Sequence, residues 1–127
     1  MVRQELMQLL QKISPEEQAL LRGETDIQRN IYMAPDSDII DAKKLLDSGR
    51  LIAIRPHTRF AHFPEHSHNY VEVVYMCSGS TTHIANGKAI TLKEGELLFL
   101  GQGARQEILP AGENDIAVNF IIMPQFF

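Results

Sequence analysis

The chain contains a single cysteine, Cys77, so no internal disulfide can brace it. A reducing, cytoplasmic setting is the expectation. No apolar run approaches the length needed to cross a membrane. The first residues read as a polar, amphipathic helix without the apolar core of a signal peptide. Basic stretches are missing as well. Twelve Lys and Arg against sixteen Asp and Glu give a formal charge of −4, a poor balance for gripping nucleic acid directly. Internal repeats and low-complexity linkers are also absent. At 127 residues the chain has length for one domain around one core.

The N-terminal third reads as helical. Val2, Leu6, Leu9, Leu10 and Ile13 recur at three- and four-residue spacing. Ser14-Pro15-Glu16-Glu17 then starts a second helix, with Ser14 as N-cap, Pro15 as first helical residue and Glu17 as capping-box partner; Gly23 ends it. Neither helix is stable alone, so their apolar faces should cover a core or a partner subunit. Residues 28–33 read as a short strand and residues 38–48 as a third helix. From Leu51 onward short β-rich runs alternate with turns, at 51–54, 58–63, 70–77, 81–85, 88–92, 96–100, 106–109 and 115–123. Asn86-Gly87 is a strong hairpin signal. Evenly spaced short strands imply a sandwich or barrel.

The chemistry concentrates in His66-Ser67-His68, then Glu72, then Gly79. Histidines two apart on a strand share a face. Two imidazoles and a carboxylate suit a divalent transition metal such as iron, zinc, nickel or manganese. In a straight strand His68 and Glu72 would lie about 13 Å apart, so a shared site requires a bend at Asn69-Tyr70. The string resembles the first half of the cupin signature, H-x-H-x3-E-x6-G, although Phe60 stands at its leading glycine. The second half, G-x5-P-x-G-x2-H-x3-N, is broken: Gly95 and Gly103 match, but Gly101, Gln106 and Pro110 replace proline, histidine and asparagine. The resemblance implies a mainly β fold, a double-stranded β-helix (cupin jelly-roll barrel) over 51–127. Two or three short helices in a segment spanning 1–50 would cap it. His57, His62 and His83 lack ligand-like spacing and read as ordinary polar or half-buried residues. Cys77 reads as a small buried core residue. Arg59 is expected to pair with Glu65 or Glu72.

A longer set of strings resembles the N-terminal domain of AraC-type transcription regulators: Leu51-Ile52-Ala53-Ile54-Arg55, Phe63-Pro64-Glu65-His66-Ser67-His68-Asn69-Tyr70-Val71-Glu72, Glu94-Gly95-Glu96-Leu97-Leu98-Phe99-Leu100 and Val118-Asn119-Phe120-Ile121-Ile122. That resemblance implies a homodimeric sensing domain with no catalytic residues and no membrane partner. A small polar effector, such as a sugar, would bind in the barrel. DNA would be bound only through a C-terminal helix-turn-helix domain that this chain does not contain. The expected pocket residues are His66, His68, Tyr70, Glu72 and Gln106. The competing reading is a stand-alone metal enzyme, a dioxygenase or isomerase, holding its metal with His66, His68 and Glu72. The Phe126-Phe127 ending suggests a cut at a domain boundary. Together with the N-terminal helix faces, it marks the expected dimer surface.

Overall fold

A computed structural model describes residues 3–126. Two short helices open the chain, α1 (Gln4–Leu10) and α2 (Pro15–Leu21). Ser14 caps α2 as its sequence requires: its hydroxyl accepts from Glu17 N (3.1 Å), and the Glu17 carboxylate accepts from Ser14 N (3.0 Å). Val2, in the first apolar pattern, lies outside the described residues.

The next segment departs from expectation. Residues 28–33 form a one-turn helix, α3 (Arg29–Tyr32), and not a strand. Ile27, Ile31 and Tyr32 fall at helical spacing. The Tyr32 hydroxyl fixes the turn by donating to Glu16 at 2.7 Å. Residues 38–48 are likewise split, into β1 (Ile39–Ile40) and α4 (Ala42–Leu45). Ile39 and Ile40 pair in parallel with Ser67 and His68, so an open sheet edge overrides the helical pattern there. Asp41 then caps α4 by accepting from Lys43 N.

Eight strands follow: β2 (Ile52–Pro56), β3 (Phe63–His68), β4 (Val71–Ser78), β5 (Ser80–Ala85), β6 (Lys88–Lys93), β7 (Leu97–Leu100), β8 (Gln106–Ile108) and β9 (Ile116–Ile122). They form a five-stranded sheet in the order β1-β3-β8-β5-β6 and a four-stranded sheet in the order β2-β9-β4-β7. This is a double-stranded β-helix. Asn86 and Gly87 both take positive φ (53° and 76°) in the β5–β6 hairpin.

The expected strand at 58–63 is instead mostly loop, and β3 runs straight through Pro64-Glu65. The β3–β8 register slips between Phe63 and His66, so the proline sits where the ladder is already interrupted. Phe60, at the signature's missing glycine, still takes a positive φ of 71°. Gly79 takes φ 69°, and a Cβ there would strike the Asp115 carboxylate and come within 2.8 Å of the Asn114 carbonyl. That glycine serves the turn, not the chemistry.

The core is shared between both parts of the chain. Leu20, Ile27, Tyr32, Met33 and Ile40 pack with Ala61, Phe63, Tyr70, Ile108 and Ile121. Arg59 pairs with neither Glu65 nor Glu72. It is buried against Glu17, its Nε donating to Oε2 at 3.0 Å and its Nη2 to Oε1 at 3.1 Å. Nη1 and Nη2 also donate to the carbonyls of Glu113, Gln11 and Lys12. Cys77 is not a core residue. Strand alternation puts Met76 inside and leaves Cys77 half-buried on the outer side of β4.

The outer face of the four-stranded sheet is apolar across all four strands. Register aligns Ile54, Phe120, Val73 and Phe99 in one row and Pro56, Val118, Tyr75 and Leu97 in the next. None carries a charge, and Ile54 and Phe99 are 62% and 69% exposed.

Candidate functional site: a polar chamber inside the barrel

β3 ends at His68 in one sheet and β4 begins at Val71 in the other. The chain therefore turns at Asn69-Tyr70, where the spacing demanded a bend. His66, Tyr70 and Glu72 line a cavity between the sheets. Gln106 sits opposite His66 in the β3–β8 pairing, with its amide Nε2 donating to Glu72 Oε1 at 3.4 Å. His68 turns elsewhere. Its ring stacks on Tyr70 (4.6 Å between centroids) and Nδ1 donates to the Tyr70 carbonyl at 2.6 Å.

Several cavity residues were not singled out by sequence. His83 and His57 are buried (1% and 5% exposed), not the ordinary half-buried polar groups expected. His83 Nδ1 donates to Gln106 Oε1 at 3.0 Å, and its Nε2 accepts from the Thr81 hydroxyl at 2.8 Å. Thr81 and His83 alternate inward along β5, a period-two signal that could have flagged them. His57 stacks on Phe63, and Arg55 and Asn119 reach the cavity from β2 and β9. His62 alone behaves as expected: it is partly exposed and paired with Glu107 (2.6 Å) and Asp26 (3.2 Å).

Burial sets the electrostatics. It pushes the Glu72 carboxyl up to about 7 against hydrogen bonds from Gln106 and Tyr70, which pull it down. Burial, aided by the nearby His83 and His66 and opposed by Glu17, pulls His57 down to about 4. His66, His68 and His83 are lowered mainly by the same desolvation. The chamber is thus lined by neutral imidazoles and a carboxyl poised near neutrality. Among the described residues three buried polar atoms have no protein partner: His57 Nε2, His68 Nε2 and Asn119 Oδ1.

A divalent metal does not fit this arrangement. Among the described residues no group of three or more His, Cys, Asp or Glu side chains is placed to hold one. His66 and His68 each donate Nδ1 to a backbone carbonyl, of Pro64 and Tyr70, which leaves Nε2 as the ring's acceptor and does not by itself bar a metal. Gln106, in the histidine position, ties itself to Glu72 and His83. His68 Nε2 is left bare, but no set of ligands completes around it.

The cavity measures about 40 Å³. At 10–15 Å³ per water that is room for roughly three waters. Beside it, between α1, α2 and β2, lies an outer groove of about 440 Å³. Residues 55–58 line both.

Two facing sheets around a polar, partly unsatisfied chamber define a cupin-type binding domain. The family described as the AraC-like ligand binding domain matches residues 48–127, and the chain belongs to it. The chain is similar to the HTH-type transcriptional activator RhaS of Escherichia coli O81 (strain ED1a), 37% identical over 49 residues, or 39% of this chain. The match to RhaS of Enterobacter sp. (strain 638) has the same identity and extent. In each case the matched stretch spans 18% of the relative's length. Among solved structures, the chain is similar to the EutQ protein of Clostridium difficile (TM-score 0.48, 21% identity, 63% of this chain and 61% of that one). It is also similar to the polyketide cyclase RemF of Streptomyces resistomycificus (TM-score 0.49, 15% identity, 60% and 56%). No helix among the described residues is long and apolar enough to cross a membrane.

Proposed function

We propose that this chain is the effector-sensing part of a cytoplasmic AraC-type transcription regulator. It binds a small polar molecule in the barrel, catalyses no reaction, and acts through a helix-turn-helix DNA-binding domain outside this chain. The observation that carries the reading is the chamber itself, lined by His57 and Asn119, each with a buried polar atom that has no protein partner among the described residues. Unsatisfied buried groups are costly, and a ligand with hydroxyls relieves them. His66, Tyr70 and Glu72 serve as direct contacts in this reading, with Gln106 orienting Glu72. The cavity wall also includes Tyr32, Ile40 and Leu45 from the N-terminal segment. A ligand too large for the closed cavity shifts that segment's packing, and differential affinity for the two arrangements is what a sensor needs.

Thermal unfolding of the purified domain against a library of sugars and related polar metabolites tests the reading. A ligand at about one hundred times its Kd adds roughly 2.7 kcal/mol. At least one compound is expected to raise the melting temperature in wild type and not in Asn119→Leu. A full library without any such shift rejects the sensing role.

We also place dimerisation in this reading, on the outer face of the four-stranded sheet. The sequence pointed elsewhere, to the N-terminal helices and the Phe126-Phe127 end; Phe127 lies outside the described residues. The sheet face suits a second copy of itself because its two rows are apolar and uncharged, so no like-charge repulsion opposes self-contact. Sedimentation equilibrium is expected to show a dimer that Phe99→Glu dissociates. A wild-type monomer at high concentration contradicts it.

A further inference from the structure

We propose that the ligand is a small hydroxycarboxylic acid, its carboxylate held by Arg55 and its hydroxyls by Asn119 and His57. The proposal rests on the sensing role and narrows it to one chemical class.

Arg55 carries the inference. β2 alternates, with Ile52, Ile54 and Pro56 outward and Arg55 inward, directly opposite Asn119 on β9. Two of the described arginines are not exposed. Arg59 spends its guanidinium on Glu17 and three backbone carbonyls. The guanidinium of Arg55, a half-buried residue, makes no hydrogen bond or ion pair with any described residue. Its charge is nevertheless felt inside, where it opposes the upward push that burial gives the Tyr32 and Tyr70 hydroxyls. A half-buried guanidinium with no ion-pair partner among the described residues is an incomplete site. A carboxylate completes it, since its two oxygens match the planar fork.

The neighbouring groups supply the second half of the recognition. His57 is 5% exposed, with Nε2 unpartnered. The unpartnered Asn119 Oδ1 can only accept, so the ligand must bring a donor to it. A hydroxyl is the simplest donor that fits a space of about 40 Å³.

The groove outside repeats the charge preference. Lys12 and Arg22 stand on its wall together with Arg55. Of its two carboxylates, Glu17 is neutralised by Arg59, and Glu16, which keeps its charge while accepting from Tyr32 Oη and Gln28 N, is outnumbered by the three cations. A chain of net charge −4 therefore presents a locally cationic approach to its own cavity. Because Arg55 and His57 line both spaces, a ligand can place one end in the cavity and its bulk in the groove.

Calorimetry with matched probes tests this on the chain as it stands. The probes are glucose, galactose and arabinose, their uronic and aldonic acids, and their phosphate esters. The acids are expected to bind, with Arg55→Gln weakening them about 10- to 100-fold while its melting temperature without ligand stays unchanged. Neutral sugars binding as well as their acids overturns the class and leaves the sensing role intact. Undiminished binding of the acids by Arg55→Gln overturns the assignment of Arg55. Phosphate esters binding in preference to the acids overturns the carboxylate. If no probe binds wild type, the hydroxycarboxylate proposal falls; a compound from the wider metabolite library that still raises the melting temperature keeps the sensing role alive.

Discussion

Arg59→Ala is expected to destabilise the domain by about 3–5 kcal/mol, the usual cost of breaking a buried ion pair from one side. Glu17 would be left buried and unpaired, and the carbonyls of Gln11, Lys12 and Glu113 would lose their donor. Arg59 also joins regions distant in sequence, the α1–α2 connection and the loop before β9. Arg59→Lys should recover little, because one ammonium cannot serve Glu17 and three carbonyls in the fork geometry. Burial alone would raise the Glu17 carboxyl, but hydrogen bonds from the Arg59 side chain and backbone and from Ser14 hold it below its usual 4.5. A folded carboxyl below its unfolded value contributes stability above pH 4.5 and loses it as pH falls through the folded value. Urea unfolding at pH 7 reads the main effect. An unchanged midpoint in Arg59→Ala would show that the buried pair contributes nothing net.

The parts of this molecule that sequence exposed are those whose physics is local. Ser14 and Glu17 cap a helix three residues apart. Asn86-Gly87 makes a turn from its own two residues. His66, Tyr70 and Glu72 sit close enough in the chain for their spacing to announce a shared chamber. Where long-range pairing decides, the sequence misleads. Ile39 and Ile40 carry a helical pattern but become a strand because β3 offers an open edge. Arg59 finds Glu17 rather than the nearer Glu65, because α2 packs over it. Arg55 and Asn119 become neighbours only when β2 pairs with β9, so neither looked like part of a site. His68 shows the opposite failure. It satisfies the motif, yet its ring lies against Tyr70, outside the cavity lining.

Glu72→Gln is expected to stabilise the protein at pH 8 by about 3 kcal/mol, the energy of holding a carboxyl near 7 rather than 4.5 at about 1.4 kcal/mol per unit. Below pH 4.5 both folded and unfolded chains keep the Glu72 proton and nothing is lost. Between 4.5 and about 7 the unfolded chain releases it while the folded one does not, so stability falls as pH rises. His57 works in the opposite direction. Its folded value of about 4 lies below its usual 6.5, so stability falls as pH drops through that interval. In wild type the Glu72 slope opposes those of His57, His66, His68 and His83, whose folded values are all lowered by burial. The glutamine variant removes the opposing slope, giving a protein that is stable in mild alkali and loses stability more steeply toward acid than wild type does. Denaturant unfolding at pH 5, 6, 7 and 8 separates the profiles, and parallel curves for wild type and variant would mean that Glu72 ionises freely in the fold. The same energetics bear on the chamber's chemistry. A carboxyl that ionises near neutrality can donate to a ligand in one state and accept in the other. Gln106 holds it where a third histidine would have served a metal, so the lost imidazole leaves a site tuned to hydrogen bonding.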